Sequence, residues 1–428
     1  MHRSVAARTS IGALVTLTLV AFGAWVAPAG AQSGGTQGVT AKEIKIGAVI
    51  GKTNPNGVKY DQVVTGAQAY FDEVNRDGGV FGKKFKIVKV LDDQTRASKD
   101  ILAARSMTEE VKPFAVIKAG QEFAGADTYV KAGMPVFGYN IQTQWSKGPN
   151  LFGAYGSYIC FDCPSLYASY LANKVGAKRV AIFAYGSSPQ AAACAESIRK
   201  ALDRWGPKVA VFDTSISFGF SANDISGAVQ AMKDNQVDYV ATCMDLNGVV
   251  NIKKALVAAG GQGVTFQAPQ GYDAETLDEL GDDLEDFYFS LQFVPFESAA
   301  GNPGMTRFLK AMKQRKLQPN ENLLVGWVSA ALLTKGIEDA GKQFTQQSVI
   351  DAINETTSWT ADGMMSPVNW TSAHGPAQPG DIDCFSYVAV EKGKFVPQFG
   401  QPGKPLVCFP VNPYPATLDS PTFQGGTG

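Results

Sequence analysis

The sequence predicts an α/β fold of two doubly wound, Rossmann-like lobes joined by three crossover segments. Three observations carry this reading. Strand-like and helix-like segments alternate through residues 43–137 and, after a break, through 179–268, the rhythm of parallel sheets covered by helices. The break, 141–165, is rich in Gly, Tyr and Pro and has no hydrophobic period, as a boundary should. Beyond residue 287, three helical patterns arrive with few strands between them, which suits a chain returning to cover the first sheet.

The chain opens with Arg3 and Arg8 ahead of an apolar run over 11–26 that leads to Ala29-Gly30-Ala31. This reads as a signal peptide over 1–31 with the mature chain beginning at Gln32, and it predicts a periplasmic or secreted protein. The first cysteine is Cys160, so no lipobox cysteine is available for a lipid anchor. No later apolar run is long enough to span a bilayer. The formal net charge is −1, and no lysine or arginine cluster offers a footprint for nucleic acid. About 400 residues remain after the leader, more than one hydrophobic core usually serves.

In the first lobe, Ile44, Ile46, Ala48 and Ile50 alternate as in a buried strand, while Val63, Ala67, Tyr70, Phe71 and Val74 recur on one helix face. A Gly78-Gly79 stop and a strand over 85–91 complete a βαβ unit, whose first loop lies where open α/β sheets bind ligands. That loop contains Gly51-Lys52-Thr53, but three residues separate Gly47 from Gly51 where a phosphate cradle needs four, and Pro55 forbids an immediate helix. The alternation continues as helix 96–110, strand 114–117, helix 123–131 and strand 135–137.

The second lobe reads as strand 179–184, helix 189–205, strand 209–212, helix 222–234, strand 239–243, helix 248–259 and strand 265–268. A strand-like crossing over 287–295 leads to helices 303–315, 322–340 and 345–355. A loose stretch over 363–375 then precedes a hairpin, 384–390 and 394–396, across Lys392-Gly393. Pro402, Pro405, Pro410, Pro413, Pro415 and Pro421 argue against regular strand or helix in the last segment. The expected division is 41–155 with 295–365, 156–290 with 370–410, and a tail at 411–428.

Six cysteines in an oxidising compartment predict disulfides among Cys160, Cys163, Cys194, Cys243, Cys384 and Cys408. Cys384 with Cys408 is the preferred long-range pair. Cys160-Phe161-Asp162-Cys163 also matches a redox CxxC, but 153–156 before it does not look like the buried strand that such a motif follows. Enzyme chemistry finds little support. His374 is the one histidine after the leader and is expected to be exposed, which leaves no two-histidine metal site and no partnered triad. The pairs Glu73 with Asp77 and Asp282 with Asp283 read as solvated surface charge. No catalytic residue, metal or cofactor is expected.

The chain resembles the type I periplasmic binding proteins, specifically the branched-chain amino acid (leucine/isoleucine/valine-binding) family of ABC-transporter solute receptors. The resemblance is carried by Glu43-Ile44-Lys45-Ile46-Gly47, Gly66-Ala67-Gln68-Ala69, Asn75-Arg76-Asp77-Gly78-Gly79-Val80 and Asp92-Asp93-Gln94. Gly176-Ala177-Lys178-Arg179-Val180-Ala181, Val368-Asn369-Trp370 and Lys392-Gly393-Lys394-Phe395 extend it over nearly the whole mature chain. It implies a Venus flytrap whose lobes close on a small molecule, a membrane permease as partner, and a monomer. The loops that would contact the ligand carry Asn54, Tyr60, Gln121, Glu122, Tyr139, Asn140 and Gln142 in the first lobe, and Tyr185, Asp245, Gln270 and Tyr272 in the second.

Two departures from the family pattern bear on the ligand. Gly120-Gln121-Glu122 replaces the small hydroxyl residues that hold an α-carboxylate, and an acid there repels one. Gln270 falls where a glutamate holds the α-ammonium, and a neutral amide forgoes that charge-assisted bond. A polar or aromatic ligand other than a plain branched-chain amino acid is therefore expected. The alternatives are a ligand sensor of the same fold and an exported thiol-disulfide oxidoreductase using Cys160 and Cys163. Structural roles compete for several residues: Tyr185 and Tyr272 as lobe packing, Glu122 and Asp245 as helix caps.

Overall fold

In the computed structural model, residues 36–55, 57–157 and 163–425 are described; the expected leader and Cys160 lie outside them. The first sheet is built from β1 (Glu43–Ile50), β2 (Lys84–Asp92), β3 (Ala115–Ala119), β4 (Val136–Gly138) and β5 (Leu151–Gly153). All pairings are parallel and the order is β2-β1-β3-β4-β5. The helices α1 (Asp61–Arg76), α2 (Ala97–Arg105) and α3 (Ala126–Ala132) connect them. The helix expected at 96–110 becomes a π-helical turn over Ser106–Val111. The three-residue β5 lies inside the stretch read as a boundary, too short to show a period.

The second sheet takes β6 (Arg179–Tyr185), β7 (Lys208–Ile216), β8 (Tyr239–Cys243), β9 (Thr265–Ala268) and β10 (Phe287–Leu291), again parallel to one another. Its helices are α4 (Leu166–Lys174), α5 (Pro189–Trp205), α6 (Ser226–Asp234), α7 (Leu246–Ala258) and α8 (Ala274–Leu280). The chain then returns as α9 (Pro303–Gln314), α10 (Glu321–Ala340) and α11 (Gln346–Asn354), and crosses back to β11 (Ile382–Glu391), β12 (Lys394–Gln398), β13 (Leu406–Pro410) and β14 (Thr422–Gln424). These last strands pair antiparallel, and the order is β14-β13-β11-β10-β9-β8-β6-β7 with β12 alongside β11.

Strands β13 and β14 correct the expectation of an irregular proline-rich end. Pro405 and Pro421 precede the two strands, and Pro410 is the last residue of β13. Proline there punctuates the ladder and removes no interior hydrogen bond. Cys384 and Cys408 face each other in register on β11 and β13 and form the preferred disulfide, Cα–Cα 4.1 Å. Cys194 of α5 is joined to Cys243 at the end of β8, and Cys163 is disulfide-bonded as well.

The three passages between sheets lie side by side. Tyr155 on the first stacks on Phe293 of the second, ring centroids 6.2 Å apart. Phe293 bridges in turn to Met365 of the third, and its carbonyl accepts a 2.6 Å hydrogen bond from Ser386 Oγ. Glu73, read as surface charge, is largely covered and pairs with Arg307 of α9 at 2.8 Å, while Asp283 stays at the surface, paired with Lys254 at 2.7 Å. His374 is half-buried and packs on Phe152 and Trp370, and burial pushes its imidazole down to about 4.

Helix α10 is buried along most of its length and lies against α1. The two backbones approach so closely that a Cβ on Gly66 would stand 1.9 Å from the Leu323 carbonyl oxygen, and one on Gly326 would stand 1.8 Å from that of Val63. Alanine favours a helix over glycine by about 1 kcal/mol, yet here the added methyl must force the helices apart. Gly326→Ala is expected to lower stability by about 1–3 kcal/mol or more. Urea unfolding monitored by circular dichroism checks this, and an unchanged or raised midpoint would contradict the close contact.

Candidate ligand-binding cleft

In each sheet the connection reverses direction once, between β1 and β3 in the first and between β6 and β8 in the second. A crevice opens at the carboxyl ends of strands at such a switch point. The loops that leave β1 and β3 carry Asn54, Tyr60, Gln121 and Glu122, while Tyr185 ends β6 and Asp245 follows β8.

Asn54 spends its side chain on its own loop. It donates to the carbonyls of Gly51 at 2.9 Å and Val58 at 2.8 Å, and accepts from the Val58 amide at 3.1 Å. That brace sets the path into α1, whose start is Tyr60. Tyr60 is fully buried, and its ring lies 6.1 Å from that of Tyr139, with the planes tilted by 47°. Gln121 approaches the Tyr60 hydroxyl without closing a full hydrogen bond.

Glu122 is half-buried above a buried ionic group. Lys118, on β3, reaches Asp93 at 2.6 Å and Asp100 at 3.0 Å, and Asp100 also accepts from the Gly125 amide at 2.8 Å. Burial raises the Asp100 carboxyl; burial first, then Asp100 and Asp93, raises that of Glu122. Glu122 does not cap α3, whose N-cap is Gly125.

Of the three residues after β4, only Tyr139 joins the cleft. Asn140 donates to the Gly156 carbonyl at 3.1 Å. Gln142 donates to the Gly120 carbonyl at 2.6 Å and accepts from Trp145 Nε1 at 3.0 Å. Both are buried and brace the loops on which Gln121 and Tyr155 ride. The Tyr139 hydroxyl accepts a long hydrogen bond, 3.4 Å, from Gln270 Nε2 of the second lobe.

On the second lobe, the Tyr185 hydroxyl donates to Asp245 at 2.5 Å, and Asp245 also N-caps α7 by accepting from Gly248 at 3.3 Å. A Cβ on Gly248 would fall 2.2 Å from the Tyr185 hydroxyl, so the pair needs glycine there. Burial, reinforced by Asp245, raises the Tyr185 phenol. Tyr272 belongs to the hinge: it donates to the Glu297 carboxylate, accepts from the Phe296 amide at 2.8 Å and stacks on Phe296 at 4.9 Å.

Two further contacts join the lips. Lys59 pairs with Glu275 of α8 at 2.9 Å, and Asp273 bridges to Asn320 ahead of α10. Sequence reasoning missed the residue that this bridge introduces. Glu321, the first residue of α10, sits in a desolvated environment that lifts its carboxyl to about 7, and its charge raises Tyr60, Tyr139 and Tyr155. Asn320, which caps α10 by accepting from Leu323 at 3.0 Å, was the available signal for where the helix starts. Nothing local in the sequence places that start in a cleft. Among the described residues no three His, Cys, Asp or Glu side chains gather as metal ligands.

The family model described as periplasmic binding protein matches residues 43–393. A curated relative, Leu/Ile/Val-binding protein homolog 7 of Brucella suis, is 22% identical over 358 residues, covering 80% of this chain and 85% of that protein. Among solved structures, LivJ of Streptococcus pneumoniae in complex with isoleucine is similar at a TM-score of 0.66 and 18% identity, covering 83% of this chain and 100% of that one. A solute-binding protein from R. palustris in complex with benzoate is similar at a TM-score of 0.62 and 18% identity, covering 83% and 95%.

The Glu321 carboxyl has a stability consequence. Its folded value of about 7 lies above the ordinary 4.5. As pH rises between those values the unfolded chain loses this proton first, so stability falls, and the full cost is present above about 7. Glu321→Gln removes that cost. The variant is expected to melt progressively higher than wild type as pH rises from 4.5 to about 7, with a constant difference above. Paired melting curves across pH, in which the other titrating groups cancel, check it; a pH-independent difference would refute the raised carboxyl.

Proposed function

Since the chain belongs to the periplasmic binding protein family, we propose that it is the extracytoplasmic receptor of an ABC importer, closing its two lobes on a small polar or aromatic solute and presenting it to a membrane permease. The observation that carries the reading is the contact between the lobes at the carboxyl ends of their strands. Tyr139, packed on Tyr60, meets Gln270 from the other lobe, and Lys59 reaches Glu275. The Tyr139–Gln270 and Lys59–Glu275 pairs exist only when the lobes approach.

Binding then shifts a pre-existing equilibrium between open and closed forms, to the extent that the ligand prefers the closed one. No covalent step is involved. His374 is held neutral by burial between two aromatic rings and has no acid or nucleophile at hydrogen-bond distance. The exposed loop ends and the lips are free for a permease to read the closed state, and the protein acts as a monomer.

The ligand is not a plain branched-chain amino acid. The lip where a carboxylate would dock carries Glu122, with Asp93 and Asp100 beneath it, and like charge disfavours an anion there. Gln270 offers an amide, already engaged with Tyr139, in place of an acid for an α-ammonium. Isothermal titration of the mature protein with leucine, isoleucine, valine and benzoate is expected to show no binding tighter than about 1 mM, equivalent to roughly 4 kcal/mol. Micromolar affinity for any of them would overturn this assignment.

A further inference from the structure

The first sheet carries a charge pattern that the cleft does not use. Across β1 and β2, Glu43 is in register with Lys84, Lys45 with Lys86 and Gly47 with Lys89. Alternate residues of a strand share one face, so Lys45, Lys84, Lys86 and Lys89 stand on the same side of the sheet. A β-bulge makes this possible. Ile46 pairs with Ile87 and Gly47 with Lys89, which leaves Val88 unmatched; in a regular strand, Lys86 and Lys89 would point to opposite faces.

Neighbouring strands lie about 4.8 Å apart, and like charges directly opposite each other are destabilising. Glu43 relieves only Lys86, at 3.4 Å, while Lys45, Lys84 and Lys89 have no ion pair among the described residues. Lysines on β2 suit its place at the sheet edge, where they discourage pairing with another chain. Lys45 is on an inner strand, and edge protection does not account for it.

The same face borders a groove of about 450 Å³. Lys45 and Lys89 line it from the sheet, and Val88, Leu91 and Val111 supply its apolar surface. The other wall is the π-helical turn, where Ser106 Oγ donates to Glu110 at 2.7 Å. A Cβ on Gly47 would stand 2.6 Å from Met107 Sδ of that turn, so the lysine face and the turn look at each other. β-bulges and π-helical turns both interrupt regular hydrogen bonding and recur at functional sites; here one of each converges on one groove. The groove is separate from the solute cleft, because Lys45 lies about 16 Å before the carboxyl end of β1.

We propose that this groove is a second ligand site, for a small organic dianion whose charges bridge Lys45 and Lys89 and whose hydrocarbon part rests on Val88, Leu91 and Val111. A neutral molecule would leave the lysines uncompensated, and a single negative charge would satisfy one ammonium of the two. The volume is that of an ordinary small-molecule site. The assignment does not depend on what the cleft binds.

The test is isothermal titration of the mature protein at about pH 8, where a phosphate monoester carries close to two charges. Phenyl phosphate and succinate serve as dianions, benzoate as a monoanion and benzyl alcohol as a neutral body, all at matched ionic strength. At least one dianion should bind with a dissociation constant below about 1 mM, at least tenfold tighter than benzoate, and should weaken severalfold as salt rises from about 50 to about 300 mM. Lys45→Gln combined with Lys89→Gln should weaken it at least tenfold. Glu110→Gln, which removes the acid lining the groove, should tighten it, and as a change at an exposed residue it keeps the test open should the double variant not fold. Absence of dianion binding, or binding of benzoate or benzyl alcohol as tight as that of the dianions, overturns the ligand class. Dianion binding that the double variant leaves undiminished, or that Glu110→Gln fails to tighten, overturns the site.

Discussion

The contact between α1 and α10 is the constraint from which the cleft follows. Gly66 and Gly326 each occupy a point where the partner backbone leaves no room for a methyl group, so at these points the two helices meet at backbone distance. Interiors packed at that density do not slide. Because both glycines fall early in their helices, the contact also fixes where the helices begin. Tyr60 at one start and Glu321 at the other are therefore neighbours by construction, although more than half the chain separates them.

Electrostatics beneath that lip is set by a second buried group. Lys118 interrupts an otherwise apolar strand, and a lone buried lysine would be expensive; Asp93 and Asp100 satisfy it. Two acids for one base leave the floor of the first lobe negative, which is why burial and these neighbours raise Glu122 and Asp100. The consequence passes from packing to specificity. A floor of this sign, under a lip that also holds Glu122, is a poor place for a carboxylate, whatever the shape of the rest of the ligand.

Much of the fold was legible in the sequence because strand and helix periods differ and each element in these lobes is long enough to show its own. Helix Pro189–Trp205 begins and ends where its proline and tryptophan suggested, and the Cys384–Cys408 pair follows from two strands that lie next to each other in the sheet. What was not legible depended on distant chain. Three residues of β5 carry no period, and the strands at the proline-rich end form only because β11 offers an edge to β13. The site shows the same division. Tyr60, Gln121, Tyr139 and Gln270 could be placed from the loops that hold them, but sequence pattern gave no means to separate them from Asn54, Asn140 and Gln142, whose amides serve the backbone. Glu321 was invisible for a stronger reason: its surroundings come wholly from other segments.

The hinge ties these local facts to motion. Phe293 is fully buried at the centre of three adjacent passages, stacked on Tyr155, bridged to Met365, and bonded through its carbonyl to Ser386. Passages linked in this way bend together but resist shear, so the lobes approach along one path. Tyr155 takes part at both ends of that motion, its ring on the hinge and its hydroxyl under the field of Glu321. Tyr272 mirrors it from the second lobe, with its ring 6.2 Å from Phe293 and its hydroxyl on Glu297. Tyr155 and Tyr272 thus meet on one buried ring, so the passages between the sheets are tied together at Phe293.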